Sequence, residues 1–321
     1  MGVLSEHEIE FVDVTKIFAK GFLSHKAAVQ GVSFSIARRE VVGILGANGS
    51  GKSTSLKMIM GFLRPTRGQI RICGLEPNDY RSRRLIGYLP ENPRFQRFLS
   101  ACQILNYYGR LADMTSVALT SRVDHLLELV GLNQVRHERV GGFSKGMCQR
   151  LAIAQALLHR PRILVFDEPM SGLDPIGRRE IRLLIQQIQR SMDVTIVFSS
   201  HILSDVEQLC HKVILLRGGM LTRHCSVSDL LSGEPDQYRL VAKAVSNALK
   251  DRYSSWLEGG GVDDSTVTFN VSGAQSLADL LGELRTHGVS IVSLASQRKS
   301  LEDSLFLPES AGEVVQRSEL I

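Results

Sequence analysis

Apolar and polar residues alternate over Glu8–Val14 and again over Val29–Ile36, where Val32, Phe34 and Ile36 share one face. That period of two predicts a pair of half-buried strands. An apolar, β-prone run, Glu40–Leu45, follows, and the pattern then turns helical from Ser55 to Phe62. Arg64–Gly68 reads as a turn, Gly68–Cys73 and Ile86–Leu89 as short strands, the second stopped by Pro90-Glu91-Asn92-Pro93. From about Ser100 to Val140 the apolar positions recur at helical spacing: Ile104, Leu105, Tyr108 and Leu111, then Val123, Leu126, Leu127 and Val130. A further helix opens at Phe143–Met147, with Ser144 as its N-cap and Leu151, Ala154 and Leu158 on its buried side. Arg162–Phe166 is continuously apolar, the signature of a central parallel strand. A turn at Ser171–Pro175 starts a long amphipathic helix to about Ser191. Val194–Ser199 is another buried strand, and Val213–Leu216 with Met220–Arg223 forms a closing hairpin.

Beyond about Cys225 the character changes. Ser232–Asp236 marks a linker, Tyr238–Ala244, Thr266–Val271 and Val289–Ala295 read as strands, and Ala274–His287 and Ser300–Phe306 as helices. The expected architecture is α/β. A P-loop domain over residues 1–224 carries a helical insert at about 95–160, an α+β accessory domain of ferredoxin-like kind spans 225–310, and a tail covers 311–321.

The chemistry centres on Gly46-Ala47-Asn48-Gly49-Ser50-Gly51-Lys52-Ser53-Thr54, which matches G-x-x-x-x-G-K-[ST] between an apolar run and a helix. Glycines let backbone N–H groups turn inward around a triphosphate, and the following helix aims its positive end at the same charge. Lys52 is placed to neutralise the β- and γ-phosphates, and the Ser53 hydroxyl to complete a Mg²⁺ shell. Asp167, at the carboxyl end of a buried strand, suits holding Mg²⁺ through water. Glu168 next to it is expected on the opposite face, because strand neighbours alternate; a carboxylate there can orient or deprotonate an attacking water. His201 follows the next strand, where an imidazole can donate a hydrogen bond to the charge developing on a γ-phosphate. The helix beginning at Ser144, with Gly146 in its first turn, is a second anion cradle, and one chain has one P-loop, so this cradle invites a partner's phosphate.

Composition narrows the class. At 43% hydrophobic and 22% charged the chain is globular rather than disordered. Its start lacks the basic and apolar features of a signal peptide, Glu6 breaks the myristoylation pattern, and no apolar run approaches the roughly 20 residues that cross a bilayer. Five scattered cysteines without C-x-x-C spacing read as reduced cytosolic thiols. The net charge of +5 is modest; its densest patch, Arg81, Arg83, Arg84, Arg94 and Arg97, could favour nucleic acid or anionic lipid, and the preferred reading is a solvated surface segment.

The ordered set Gly46–Thr54, Phe143–Arg150, Ile163–Pro169, Ser171–Asp174 and His201 resembles the ATP-binding subunit of ABC transporters over about residues 8–223. The resemblance implies that Ser144 and Gly146 belong to a signature loop binding ATP held by the other subunit, that Asp174 lies at the dimer seam, and that Phe18 lies under the adenine. Lys145 and Met147 replace the usual Gly and Gln of the signature, and Glu91 stands where a Gln normally senses Mg²⁺. These variants, with Tyr88–Glu91 and Ser300–Asp303, look like the branch that pairs with separate export permeases. The expectation is an ATPase using ATP and Mg²⁺, with Glu168, His201 and Lys52 catalytic and Ser53, Glu91 and Asp167 near the metal. It would work as a dimer, expected to be a homodimer, on an integral membrane permease, cytoplasmic at the inner face of the membrane and without nucleic acid. The alternative is a soluble ABC ATPase acting on ribosomes or nucleic acid; those relatives usually carry two cassettes or a long coiled coil, and neither feature is present.

Overall fold

The computed structural model describes residues 7–20, 24–231, 237–257 and 266–297. Strands β1 (His7–Lys20) and β2 (Ser24–Ala37) pair antiparallel, with Phe11 opposite Phe34 and their rings stacked at 4.3 Å. The stretch Thr15–Lys20, which lies between the two alternating runs read from the sequence, prolongs the hairpin, Lys16 pairing with Val29 and Phe18 with Lys26. Alternation failed to reveal it because Ile17, Phe18 and Ala19 are all exposed, leaving no buried face to set a period.

Strand β3 (Val41–Leu45) is buried at all five positions and leads through the glycine-rich loop into α1 (Lys52–Ile59). Strand β4 (Arg67–Ile72) adds to β1, giving a three-stranded antiparallel sheet in the order β2-β1-β4. After the single turn α2 (Tyr80–Arg83), capped by Asp79, comes β5 (Ile86–Leu89). Three helices separate it from the next strand: α3 (Ala101–Leu111), α4 (Ser116–Leu129) and α5 (Lys145–Leu157). Ser100 and Gln103 form a reciprocal capping box that fixes where α3 starts. The Ser144 hydroxyl accepts from the Met147 N–H at 3.2 Å and fixes the start of α5.

Then follow β6 (Ile163–Asp167), α6 (Pro175–Ser191), β7 (Thr195–Ser200), α7 (Leu203–Leu209), β8 (Lys212–Arg217) and β9 (Met220–Ser226). The six-stranded sheet runs β5-β6-β7-β3-β8-β9, parallel except for the β8–β9 pair. Parallel pairing puts the carboxyl ends of β3, β6 and β7 on one edge, Leu45 beside Ser200 and Asp167 beside Ser199. This register brings three loops far apart in sequence to one place, where open α/β sheets bind ligands.

Contacts divide the chain into two compact units, Met1–Val227 and Ser228–Ile321. After α8 (Val227–Leu231), the second unit contains β10 (Gln237–Lys243), α9 (Asn247–Arg252), β11 (Thr266–Ser272), α10 (Ala274–Thr286) and β12 (Ser290–Gln297). Its strands lie in the order β11-β10-β12, both neighbours antiparallel to β10, around Leu240, Ala242, Phe269, Val271, Leu280 and Leu284. Among the described residues this sheet has three strands where a ferredoxin-like unit has four. The helix read at Ser300–Phe306 and the tail at 311–321 lie outside the described residues.

Several residues of the Arg81–Arg97 patch are tied locally. Arg81 pairs with Asp79, Arg84 with Asp113, and Arg83 and Arg97 donate to the carbonyls of Asn78 and Gly141. All five cysteines are free.

Candidate functional site

The loop after β3 can wrap an anion because its glycines take conformations closed to other residues. Gly46, Gly49 and Gly51 have φ of 152°, 80° and 109°. A side chain at Gly51 would bring a Cβ to 2.5 Å from the Ala28 carbonyl oxygen, so the loop can close against β2 only with glycine there. Gly51 is also the N-cap of α1 and supplies no side-chain acceptor, which leaves the first N–H groups of that helix free for an oxyanion. Lys52 is buried, its Nζ donating to the carbonyls of Gly46 at 2.7 Å and Ala47 at 3.3 Å. The loop's own backbone thus holds the ammonium at the phosphate cradle.

Asp167 is buried at the end of β6, and its Oδ1 accepts from Ser53 Oγ at 3.3 Å and Ser199 Oγ at 2.7 Å. Strand alternation would turn Glu168 to the other side, and here the sequence expectation is corrected. Glu168 has φ 49°, a left-handed conformation that breaks the alternation, and its carboxylate lines the cleft with Lys52 and with Ser53, the residue that Asp167 holds. Its Oε1 lies 3.7 Å from Lys52 Nζ, and its Oε2 accepts from His201 Nδ1 at 2.8 Å. The Glu168 N–H is held by Ser199 Oγ at 2.9 Å. One buried hydroxyl therefore anchors both acids, accepting from the backbone of one while donating to the side chain of the other. Sequence reasoning missed Ser199: a serine inside an apolar strand has no motif of its own, and only the β6–β7 register places it opposite Asp167.

These groups open on a cleft of ≈ 570 Å³, lined among others by Phe18, Lys26, Asn48, Ser53, Glu91 and Ser171. Phe18 sits on the extended part of β1, 39% exposed, with Lys16 Nζ 5.2 Å from its ring centroid. It lines the same cleft as the phosphate loop and is exposed enough to offer an aromatic surface there. The acids Glu168 and Glu91 match Lys26 and Lys52 in number around this cleft, and Asp167 lies behind Ser53, so the cleft has no surplus positive charge to balance a polyanion, which would need a cation with it. Burial, then the charges of Asp167 and Glu91, push the neighbouring Tyr88 phenol up to about 12, which keeps it neutral. Ser53 and Asp167 offer hard oxygen donors, and Glu91 lines the same cleft. Among the described residues no three His, Cys, Asp or Glu side chains cluster tightly enough to cage a metal alone. That donor set fits a Mg²⁺ ion that takes its other ligands from phosphate and water.

Ser144, Gly146 and Asp174 are not among the residues lining this cleft. Ser144 is exposed at the start of α5, and Gly146 lies in that helix's first turn. Asp174, also exposed, caps α6 by accepting from the Gly177 N–H at 3.0 Å. All three are available to another molecule.

The family model described as ABC transporter matches residues 29–171. The ABC transporter ATP-binding protein YxlF of Bacillus subtilis is 35% identical over 286 residues, covering 87% of this chain and 93% of that protein. The bacitracin transport ATP-binding protein BcrA of Bacillus licheniformis is 38% identical over 217 residues, 66% of this chain and 68% of that protein. Among solved structures, the ATP-binding cassette MJ0796, a dimer in a post-hydrolysis state with ADP and Pi, superposes with a TM-score of 0.62 at 26% identity. That match covers 68% of this chain and 98% of the other.

Proposed function

The chain belongs to the ABC transporter family as an ATP-binding subunit with ATPase activity, and on that premise we propose that it energises export through a partner membrane permease by pairing with a second copy of itself around ATP. The observation that carries the reading is the left-handed turn at Glu168, which aims its carboxylate at the phosphate cradle between Lys52 and His201. In this reading the glycine loop and Lys52 hold the β- and γ-phosphates, and Phe18 stacks on the adenine. Ser53 and Asp167, with Glu91 nearby, would hold Mg²⁺, which would supply neutralisation of the phosphate charge when bound. Glu168 takes a proton from, or orients, the attacking water, and His201 fixes that carboxylate through its Nδ1–H.

Dimerisation is supported by what the cleft lacks. Ser144, Gly146 and Asp174 belong to the motif set yet do not line the cleft, so in our reading they complete the partner's site. Affinity of ATP for the closed pair over the open one drives closure, and hydrolysis removes that difference. No helix among the described residues is long and apolar enough to cross a membrane, so the reading assigns the membrane path to a permease subunit. An aromatic cleft of ≈ 370 Å³ lined by Phe62, Tyr88, Pro90, Pro93 and Phe95 adjoins the Glu91 segment and suits contact with that permease. A relative named for bacitracin transport favours a transport role over one on ribosomes.

The test is Glu168→Gln, which should keep ATP binding, lower turnover by about 10²-fold or more, and accumulate an ATP-dependent dimer in light scattering. Turnover within a few-fold of wild type would remove Glu168 from the mechanism. Mixing Glu168→Gln with Ser144→Arg leaves one wholly native composite site, so activity should return above that of either variant alone if the sites are shared. No recovery in a mixture that demonstrably dimerises would exclude that arrangement.

A further inference from the structure

Helix α6 begins at the Asp174 turn and α7 begins two residues after His201. A row of polar contacts joins the two helices along their length. Asp205, in the first turn of α7 and 4% exposed, accepts from Arg178 Nη2 at 2.6 Å through one oxygen and faces Arg182 Nη1 at 3.9 Å with the other. Arg178 and Arg182 are one helical turn apart, so both reach the same carboxylate. The row continues with Gln186 Nε2 donating to the Gln208 carbonyl at 3.2 Å and Gln189 Nε2 3.0 Å from His211 Nε2. His211 Nδ1 in turn accepts from the Val41 N–H at 3.1 Å, at the start of the strand that leads into the phosphate loop.

The arrangement reaches the catalytic groups at its upper end. The Arg178 N–H donates to the Asp174 carbonyl at 2.9 Å, so the arginine belongs to the turn that Asp174 caps. On the other side, Ser200 Oγ accepts from the Ile202 N–H at 3.0 Å, making a tight turn that holds His201 just before Asp205's helix. Exposed pairs of this kind contribute little, and a buried carboxylate with two arginines has no evident advantage for stability over apolar packing. What it does provide is direction, since a charged fork fixes the rotation and axial position of one helix against the other.

We propose that Asp205, with Arg178 and Arg182, is a positioning cluster that ties the Asp174 turn to the His201 loop, so that docking of a second subunit at Asp174 sets the His201–Glu168 hydrogen bond. The proposal rests on the assignment of Glu168 and His201 to catalysis and of Asp174 to the subunit seam. A helix α6 displaced by a partner carries α7 with it, and with α7 the imidazole that orients the carboxylate. Catalysis is then weak in the free chain and full in the pair.

The experiment compares full-length Asp205→Asn, Asp205→Glu and a double variant, Arg178→Met with Asp205→Leu, in ATP turnover, in binding of a fluorescent ATP analogue and in thermal melting. Asp205→Asn strands two arginines beside a neutral amide and can lose stability. The apolar pair removes both charges of the 2.6 Å ion pair together, which is often neutral for stability, and leaves Arg182, the more distant partner at 3.9 Å, to turn toward water. Both should lose turnover by about 10- to 100-fold, the order expected when a catalytic group is misplaced from a distance, with analogue affinity within about threefold of wild type. Asp205→Glu should recover most of the turnover. A stably folded apolar pair with wild-type turnover overturns the proposal, as does a loss of turnover matched by an equal loss of analogue binding. Glu168→Gln is run alongside. If it turns over normally the underlying site assignment has failed, whereas if it is inactive while the apolar pair is active, only the positioning role has failed.

Discussion

Removing one buried hydroxyl tests how the acids are held. Ser199 is fully buried on β7, and its Oγ donates to Asp167 Oδ1 at 2.7 Å while accepting from the Glu168 N–H at 2.9 Å. Ser199→Ala deletes a hydrogen bond to a carboxylate, worth about 1.5–3 kcal/mol, and leaves an N–H without its acceptor, at a cost of about 1–3 kcal/mol. Ser53 still donates to Asp167, and the Glu168 N–H can reach water as the strand end relaxes, so the two costs overlap at roughly 2–4 kcal/mol. For a domain of this size that is a fall in melting temperature of about 5–12 °C. The effect on catalysis is separable. A left-handed residue other than glycine costs roughly 1–2 kcal/mol, and the Ser199 bond is one of the contacts that hold it there. Released, Glu168 relaxes toward the alternating conformation and its carboxylate leaves the Lys52–His201 gap. We expect turnover to fall about 10- to 100-fold with ATP affinity changed by less than about fivefold, because the phosphate loop is untouched. Phosphate release, calorimetric titration with ATP and thermal melting provide the three readings. In a Glu168→Gln background the same change should cost little further turnover, since both act through one carboxylate. Wild-type turnover in a Ser199→Ala protein whose melting point has fallen as expected would refute the idea that this anchor sets the geometry of Glu168.

Three other outcomes follow from the same site and its surroundings. Lys52→Ala removes an ammonium held on the Gly46 carbonyl and should weaken ATP far more than adenosine in calorimetry; equal losses for the two ligands would make the lysine a structural strut. Gly51→Ala brings a Cβ to 2.5 Å from the Ala28 oxygen at a φ of 109°, so it should lower stability by about 1–3 kcal/mol or more and abolish ATP binding; normal ATP affinity would show that the loop has slack. Burial holds the His159 imidazole below its ordinary value, against a hydrogen bond from its Nε2 to the Ile86 carbonyl that pulls the other way. Below about pH 6.5 the unfolded chain binds this proton more readily than the folded one, so stability is lost as pH falls until the folded imidazole also protonates. His159→Gln should flatten that part of a melting-temperature profile, and an unchanged slope would assign it to other groups.

The strand and helix succession of the first unit could be read from the sequence because its periods are clean. Strand β6 is buried at every position and reads as an unbroken apolar run, and α6 shows a helical stripe through Ile181, Leu184, Ile185 and Ile188. The site was legible wherever a backbone requirement leaves a residue mark, as at Gly46, Gly51 and Lys52. It was not legible where one dihedral decides. Nothing in Asp167-Glu168 distinguishes two carboxylates on opposite faces from two beside one phosphate loop, and the periodic rule that served for the strand gives the wrong answer at its last residue. The role of Ser199 shares this limit, because it depends on register with a strand 32 residues away, whereas the extension of the first hairpin pairs near neighbours and was hidden because Ile17, Phe18 and Ala19 have no buried face. Pairing across a sheet is a long-range property that local alternation does not encode.

The two helix N-termini of the motif set differ in a way that bears on the order of events. Helix α1 has glycine at its cap and no side-chain acceptor, so its first N–H groups remain free for an oxyanion and Lys52 lies beside them. Helix α5 is capped by Ser144, whose hydroxyl already accepts from the Met147 N–H, and the carboxylate of Asp174 similarly caps α6. The phosphate loop is thus an open cradle within a single chain, whereas at the Ser144 end the hydroxyl already occupies the Met147 N–H, which leaves fewer donors for a free anion in solution. A phosphate gains most there when it arrives already fixed, its position set by another chain's loop, because the entropy of placing it has then been met elsewhere. Under the proposed mechanism this makes nucleotide binding to the free subunit come first and pairing second. It also makes the second step depend on an intact γ-phosphate, the group that hydrolysis removes.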